Sequence, residues 1–176
     1  NELLPGDWAQ HELTDPSIVS VWFEKKAGQD SIVVVPSIAY GPAAPFIKDT
    51  LGSLNIPVEE VTSPNALLFQ LVRKNLYILT TNISGLVTGG NVSELWENHQ
   101  PLARAVAEDV LALQFALTGQ SLEAEDLIQS MLDAFNGDPN HKCMGRSAPA
   151  RLERALKLAA AHQLAVPTLQ EIAKKQ

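Results

Sequence analysis

Residues 67–84 carry the longest helical pattern in the chain, and neither Gly nor Pro interrupts it. Apolar residues recur along them at the spacing that places side chains on one face of an α-helix. These residues are Leu68, Val72, Leu76, Leu79 and Ile83. The pattern predicts a long, buried helix that begins at Pro64 with Ser63 as its N-cap and ends between Gly85 and Gly90.

A second face of this predicted helix mixes polar with apolar residues. At about 100° per residue, Lys74 lies in line with Thr81, and Asn75 lies beside them in line with Asn82. A lysine on a partly apolar face loses hydration, which lowers its pKa and makes it a better proton donor unless a carboxylate holds it charged. The alternative is structural: Lys74 extends to water at the rim, and the asparagines hydrogen-bond to neighbouring backbone.

The sequence before this helix predicts a partial mixed α/β sheet. Residues 1–16 have no sustained period and predict a loop with at most one short helical turn. β-branched and aromatic residues are frequent in residues 17–26 and 31–40, which predict a β-hairpin. A helical pattern over residues 43–54 and an alternating strand at residues 56–62 follow. The order β-β-α-β is typical of the edge of a mixed sheet.

The sequence beyond this strand predicts helices only. A short turn at residues 92–98 precedes a helix that Pro101 opens and Gly119 closes, and Ser121 is the expected N-cap of the next helix. The residues of that helix expected to point inward are Leu127, Ile128, Met131, Leu132 and Phe135. A helix at residues 149–163 and a short final one complete an all-α bundle of about five helices. The fold class predicted for the whole chain is therefore α+β.

Composition narrows the classes of protein to which the chain can belong. At 176 residues and 45% apolar composition, it has enough material for one domain or two small ones. The net charge is −7, and no cluster of Lys and Arg is dense enough to bind along a phosphate backbone. We therefore expect no nucleic-acid partner. No apolar run reaches the ~20 residues that span a bilayer, and no signal peptide is present, so we expect no membrane association and a cytoplasmic location. The chain begins at Asn1 and not at Met, which suggests a fragment.

Most common site signatures are missing from the sequence. There is no GxGxxG and no GxxxxGK[ST], so the chain lacks a glycine turn for a pyrophosphate. His141 and Cys143 are two positions apart, but the remaining histidines show no ligand spacing, and we expect no metal. The only cysteine, Cys143, is either incidental or a nucleophile activated by basic neighbours. Arg146 and Ser147 precede a predicted helix, where they either bind a carboxylate or form a plain N-cap.

The segment RKNLYILTTNISGL, followed by GGN and SEL, resembles the start of the C-terminal domain of the ketopantoate reductase family. The resemblance extends over residues 17–91 and, more loosely, over residues 147–172. It implies a bundle like that of ketopantoate and 6-phosphogluconate-type dehydrogenases. Residues 1–63 would be the C-terminal part of a Rossmann-like nucleotide-binding domain, and residues 64–176 a helical substrate and dimerisation domain.

The resemblance also implies roles for individual residues. Lys74 falls on the family's catalytic lysine, Asn82 on its second asparagine, and Asn91 on a substrate-side asparagine with a shift of one residue. Ser147 stands where the family has a substrate-binding glutamate, and a serine can supply neither a charge nor a general acid. Arg146 with Ser147 would hold a substrate carboxylate.

The function implied by the resemblance is NADPH-dependent reduction of a 2-oxo acid or a related carbonyl to the alcohol. Its expected partners are a small-molecule carbonyl substrate and a second copy of the chain in a homodimer. The alternative is a non-catalytic relative that serves as a binding or dimerisation module.

Overall fold

The structure, a computed structural model, describes residues 2–176, so the expectation attached to Asn1 lies outside the described residues. The chain divides into two compact units, Asn1–Lys74 and Asn75–Gln176, and the division falls within the long helix Pro64–Thr88. The domain boundary expected at residue 63 stays a prediction.

The first unit contains five short strands and two short helices before the long one. In chain order the elements are α1 Pro5–Ala9, β1 Ile18–Ser20, β2 Phe23–Glu24, β3 Ile32–Val33, β4 Ser37–Tyr40, α2 Ala44–Gly52, β5 Val58–Glu60 and the start of α3, Pro64–Thr88. The short helical turn allowed for in residues 1–16 is α1.

The predicted hairpin is present but is divided into two ladders. β1 pairs with β4, with Val19 opposite Ala39, and β2 pairs with β3, both antiparallel. Pro36 has no N–H group to continue the ladder. At the break, the Trp22 N–H donates to Ser37 Oγ at 2.9 Å, and Val34 N–H donates to the Trp22 carbonyl at 2.9 Å. These two bonds fix Trp22 between the ladders, where its side chain is buried.

A crossover through α2 makes the sheet mixed. β5 pairs with β4 in parallel, so the strand order of the three-stranded sheet is β1-β4-β5. The apolar side of α2 packs over the sheet through Ile47 and Leu51 against a core of Ala39, Ala44 and Val58. The predicted order β-β-α-β and the mixed sheet are both present.

The second unit is helical. It contains the remainder of α3, followed by α4 Val92–Thr118, α5 Ala124–Gly137, α6 Ala148–Ala161 and α7 Pro167–Ala173. α3 is as long as its pattern predicts. It begins where expected, since the Ala66 N–H donates to the Ser63 hydroxyl. The apolar residues of its predicted buried face are all buried. Within residues 2–176, no helix is both long and apolar enough to cross a membrane.

Two boundaries differ from the expectation. The break predicted before Pro101 is present as a kink at His99, with φ −133° and ψ 25°, but the segment at residues 92–98 is helical and not a turn, and it joins the helix beyond the kink in α4. Pro101 offers no N–H to the carbonyl four residues earlier, and this accounts for a kink without ending the helix. Gly119 closes α4 in the left-handed conformation as predicted, but Ser121 is not the cap of α5, which begins at Ala124 with Glu123 at the N-cap.

Candidate functional site

Lys74 lies against the face of an aromatic ring supplied by the hairpin. Its Nζ atom is 3.7 Å from the centre of the Trp22 ring, well within the range of a cation–π interaction. Trp22 is 1% exposed, so the ring presents an apolar, water-poor surface to the ammonium group. Lys74 is half-buried. The backbone that carries the ring is fixed by the two bonds at the break between the ladders.

The surroundings of Lys74 lower the pKa of its amine to about 8, first through burial and second through the neighbouring positive charge of Arg73. The lowered pKa expected from the sequence is therefore present. The ring face acts in the opposite direction, because its negative quadrupole favours the ammonium form. At pH 7 the amine is still protonated in roughly nine molecules of ten, and it gives up that proton far more easily than an ordinary lysine.

Arg73 shares the same ring. Its Cζ atom is 5.2 Å from the centre of the Trp22 ring, and its Nη1 atom donates to Gln70 Oε1 at 3.4 Å. Its side chain is only 9% exposed. Two cations thus lie on one indole, which is an arrangement that mutual repulsion disfavours and that therefore needs support from the ring and from the packing around it.

The polar residues that follow Lys74 on α3 are bonded inside the second unit. The Asn75 amide donates to Gln114 Oε1 at 2.8 Å, and both side chains are buried. Thr81 Oγ1 donates to the carbonyl of Tyr77 at 2.8 Å. For these residues the structural interpretation accounts for the contacts, since they join α3 to α4 or close a bond within their own helix.

Asn82 connects α3 to the loop that precedes α6. Its amide donates to the Ile78 carbonyl at 2.9 Å, and its Oδ1 accepts from the Gly145 N–H at 3.2 Å. This bond brings Asn82 next to the segment that carries Arg146 and Ser147, both of which are exposed. Ser147 is the N-cap of α6, and its side chain makes no capping hydrogen bond there.

Asn91 is engaged at the start of α4. Its Oδ1 accepts from the Glu94 N–H at 2.9 Å, and Glu94 Oε2 accepts from the Asn91 N–H at 3.0 Å, which is a complete capping box. Asn91 also forms a β-bridge with Lys142. An open groove is lined by the residues around this bridge, among them Gly90, Asn91, Glu94, Lys142 and Met144.

The loop between α5 and α6 packs closely on α3 at Gly85. A Cβ added at Gly85 would lie 2.9 Å from the backbone carbon of Cys143, so only a glycine allows this approach. Cys143 is fully buried, and burial and the charge of Glu94 raise the pKa of its thiol to about 11. A buried thiol with a raised pKa is a poor nucleophile, so Cys143 is incidental to any chemistry. Among residues 2–176, no group of three or more His, Cys, Asp or Glu is placed to hold a metal.

The turn before α2, which precedes the one crossover helix of the sheet, does not fit a pyrophosphate. Gly41 has φ +92°, and a Cβ there would lie 2.4 Å from the Pro16 carbonyl oxygen. The Ala43 N–H, at the start of α2, already donates to Ser17 Oγ at 2.9 Å. Pro42 and Pro45 have no N–H groups to offer. The turn is thus closed by the chain's own Pro16 and Ser17, and it leaves no cradle of backbone N–H groups for a phosphate.

The sequence pattern points to Lys74 but not to Trp22 or Gly85. Trp22 belongs to the predicted hairpin, and no local signal in the sequence links a residue of the hairpin to one on α3. Gly85 was expected only as part of the helix end. Its contact with Cys143 depends on a loop more than fifty positions away.

These elements define an α+β protein with a small mixed sheet and a mainly helical remainder, as the sequence predicted. Among solved structures the chain is similar to 2-dehydropantoate 2-reductase from Porphyromonas gingivalis W83, with a TM-score of 0.60 over 90% of this chain. The two sequences are 15% identical, and this chain covers 53% of that one, or about half its length. At that identity the likeness shows the fold alone. No protein-family model matches the chain. A search of curated proteins also finds no match.

Proposed function

We propose that this chain is part of an NADPH-dependent reductase that converts a 2-oxo acid or a related carbonyl compound to the alcohol. The observation that carries the proposal is the amine of Lys74, held 3.7 Å from the Trp22 ring with its pKa lowered to about 8. The likeness of the fold to that of a 2-dehydropantoate 2-reductase, over 90% of this chain, adds support.

In this proposal Lys74 is the proton donor. Its ammonium group hydrogen-bonds to the substrate carbonyl oxygen, and the bond strengthens as negative charge develops on that oxygen in the transition state. The proton then passes from Nζ to the alkoxide and leaves a neutral amine. A donor with a pKa near the working pH suits this role, because it is largely protonated before the step and acidic enough to transfer its proton.

The nicotinamide cofactor of such a reductase supplies the hydride. The described residues do not offer its pyrophosphate a binding turn, so the phosphate-binding part of the site would be provided outside residues 2–176. We assign no role toward the cofactor to any residue of this chain.

The remaining site residues are proposed from the family resemblance. Asn82 and Asn91 would orient the substrate, and Arg146 with Ser147 would hold its carboxylate. The hydrogen bond from the Gly145 N–H to Asn82 supports the roles of Asn82 and of Arg146 with Ser147, because Asn82 lies beside the exposed segment that carries these two residues. Ser147 lacks the charge of the family's glutamate, so the substrate would differ from ketopantoate in size or charge. A homodimer in the cytoplasm would be the working form.

A second function is favoured by a different observation. Asn91 is occupied by its capping box, and both polar groups of the Asn82 side chain bond to backbone. Side chains used in this way fit a relative that keeps the fold as a binding or dimerisation module without catalysis.

Replacement of Lys74 by Ala in the full-length protein separates the two functions. We expect kcat for carbonyl reduction to fall at least about a hundredfold, the usual contribution of a positioned proton donor, while the affinity for NADPH changes only a few-fold. Lys157→Ala, on the exposed surface of α6, is the matched control and should keep full activity. Steady-state kinetics on a panel of 2-oxo acids is the measurement. Full turnover by the Lys74 variant would leave the module as the better interpretation.

A further inference from the structure

We propose that Trp22 and Arg73 are positioning residues for Lys74: the indole holds the ammonium group over its face, and the guanidinium lies on the same ring as a second positive charge. The inference gives the proposed proton donor its supporting residues, and in that sense it rests on the proposed function. Its test, however, reads the amine itself and needs no substrate.

The backbone of Trp22 is held by bonds in which Lys74 takes no part. Trp22 lies at the break in the hairpin, where its N–H donates to Ser37 Oγ and its carbonyl accepts from Val34. These bonds hold the backbone that carries the ring whether or not a cation lies over the ring. A fixed ring face attracts the Lys74 ammonium and reduces the number of positions that a four-carbon side chain would otherwise sample.

Arg73 supplies the second effect. The neighbouring positions on α3 and the shared ring keep two positive charges close, and repulsion between them disfavours the charged form of the one that can lose a proton. Arginine cannot lose its own proton under ordinary conditions, so the repulsion between the two cations changes the pKa of Lys74 alone.

The charges around Lys74 are consistent with this assignment. Arg73, on the same helix, is the charged group that acts on its pKa. The hairpin contributes the neutral indole, and the carboxylate of Glu24 on β2 is paired with Lys26 at 3.0 Å. Removal of the Arg73 charge should therefore have a clear sign: the pKa of Lys74 rises.

The first experiment measures how the rate of acetylation of Lys74 depends on pH in the intact protein, with acetic anhydride as the reagent and peptide mass spectrometry as the readout. We expect Arg73→Gln to move the midpoint for Lys74 upward by about half to one pH unit. Arg73→Lys, which keeps a charge nearby, should restore most of the original midpoint. Arg104→Gln removes an exposed arginine on α4 and should leave the midpoint in place. An unchanged midpoint in Arg73→Gln would overturn the role of Arg73.

The second experiment tests Trp22 by the same midpoint for acetylation of Lys74, because the ring face attracts only the ammonium form and therefore raises the pH at which the amine loses its proton. Trp22→Leu removes the ring face but keeps an apolar side chain and should lower the midpoint, while Trp22→Phe keeps a ring and should stay near the original midpoint. Circular dichroism confirms that each variant is folded, and Trp22→Phe alone remains informative if the leucine variant is not. A midpoint that is the same in Trp22→Leu and the original protein, or one that falls as far in Trp22→Phe as in Trp22→Leu, would overturn the positioning role.

A failure of these tests differs from a failure of the proposed function. If Lys74 is tuned as described but its replacement leaves carbonyl reduction intact, the supporting residues are correct and the reaction is not. If replacement abolishes reduction while Arg73→Gln leaves the midpoint unchanged, the proton donor is correct and its tuning is assigned to the wrong group.

Discussion

Lys74 is held in surroundings that oppose its charge. Burial and the adjacent Arg73 both disfavour the ammonium form, whereas the Trp22 ring favours it. A residue kept at a cost in stability is typical of a functional site, because a hydrophobic side chain in the same place would fold more favourably.

Lys74→Met should therefore stabilise the protein at pH 7. Below pH 8 the lysine is protonated in both the folded and the unfolded state, so the full penalty is present there. The shift from 10.5 to about 8 corresponds to at most about 3 kcal/mol of unfolding free energy. We expect the methionine variant to gain about 1–3 kcal/mol in urea unfolding at pH 7.

The advantage of the methionine variant should shrink as the pH rises from 8 to 10.5. In this window the unfolded lysine binds more protons than the folded one, so the original protein gains stability with pH relative to the variant. Lys157→Met on the exposed face of α6 is the control and should change stability by less than about 0.5 kcal/mol at every pH. A stability difference that does not depend on pH would contradict the lowered pKa.

At the scale of single residues, the sequence predicted what depends on neighbours in the chain. The helical spacing placed Lys74 on a partly apolar face, and that was enough to predict the direction of its pKa shift. It was not enough to find the ring or the role of Arg73. Contacts between a hairpin and a helix arise only after the chain has folded, and no local pattern encodes them.

At the scale of the elements, some helix ends are set by residues next to them in the sequence and others by a distant residue. Ser63 caps α3 and Gly119 closes α4, as their sequence signals predict. α7 follows another rule. It has no side-chain cap at Val166, and the N–H groups of Thr168 and Leu169 donate instead to Asp109 Oδ2 on α4, at 2.7 and 3.0 Å.

Asp109 should accordingly be one of the polar residues on which the helical unit depends most. Its carboxylate is largely buried, it satisfies two N–H groups at the start of α7, and it complements the positive end of that helix. We expect Asp109→Ala to cost about 2–3 kcal/mol in urea unfolding and Asp109→Asn, which keeps an acceptor, about 1 kcal/mol.

Hydrogen exchange provides a second measurement for Asp109. The amides of Thr168 and Leu169 should exchange faster in Asp109→Ala, whereas those of α5 should not change. Asp133→Ala is the matched control, since that exposed carboxylate accepts only a long bond of 3.4 Å from Gln129. Equal losses of stability in the two alanine variants would show that Asp109 does not cap α7.

At the scale of the whole chain, the sequence predicts the order of the elements. It does not predict whether the turn before the crossover helix can bind a phosphate. Turn signals and hydrophobic periods predicted a hairpin, a crossover helix and a final strand, and each is present. Whether the turn before such a helix is open to a phosphate depends on what packs against it. Here Pro16 and Ser17 close it, and no local pattern in the sequence links these two residues to the turn before α2.

The closed turn leads to the expectation that the 176-residue chain does not bind NADPH in the micromolar range. The pyrophosphate needs several backbone N–H groups at the start of a helix, and at α2 one is already bonded to Ser17 while two positions are prolines. The net charge of −7 adds a general repulsion toward an anionic ligand. Isothermal titration calorimetry at low and moderate salt is the measurement, with the full-length protein as the positive control. Micromolar binding by the chain alone would mean that a cradle of backbone N–H groups exists elsewhere among its residues.

The variant Ser17→Ala frees the Ala43 N–H and should still show no binding of NADPH. Gly41 would still lie against the Pro16 carbonyl, and the prolines would still offer no donor.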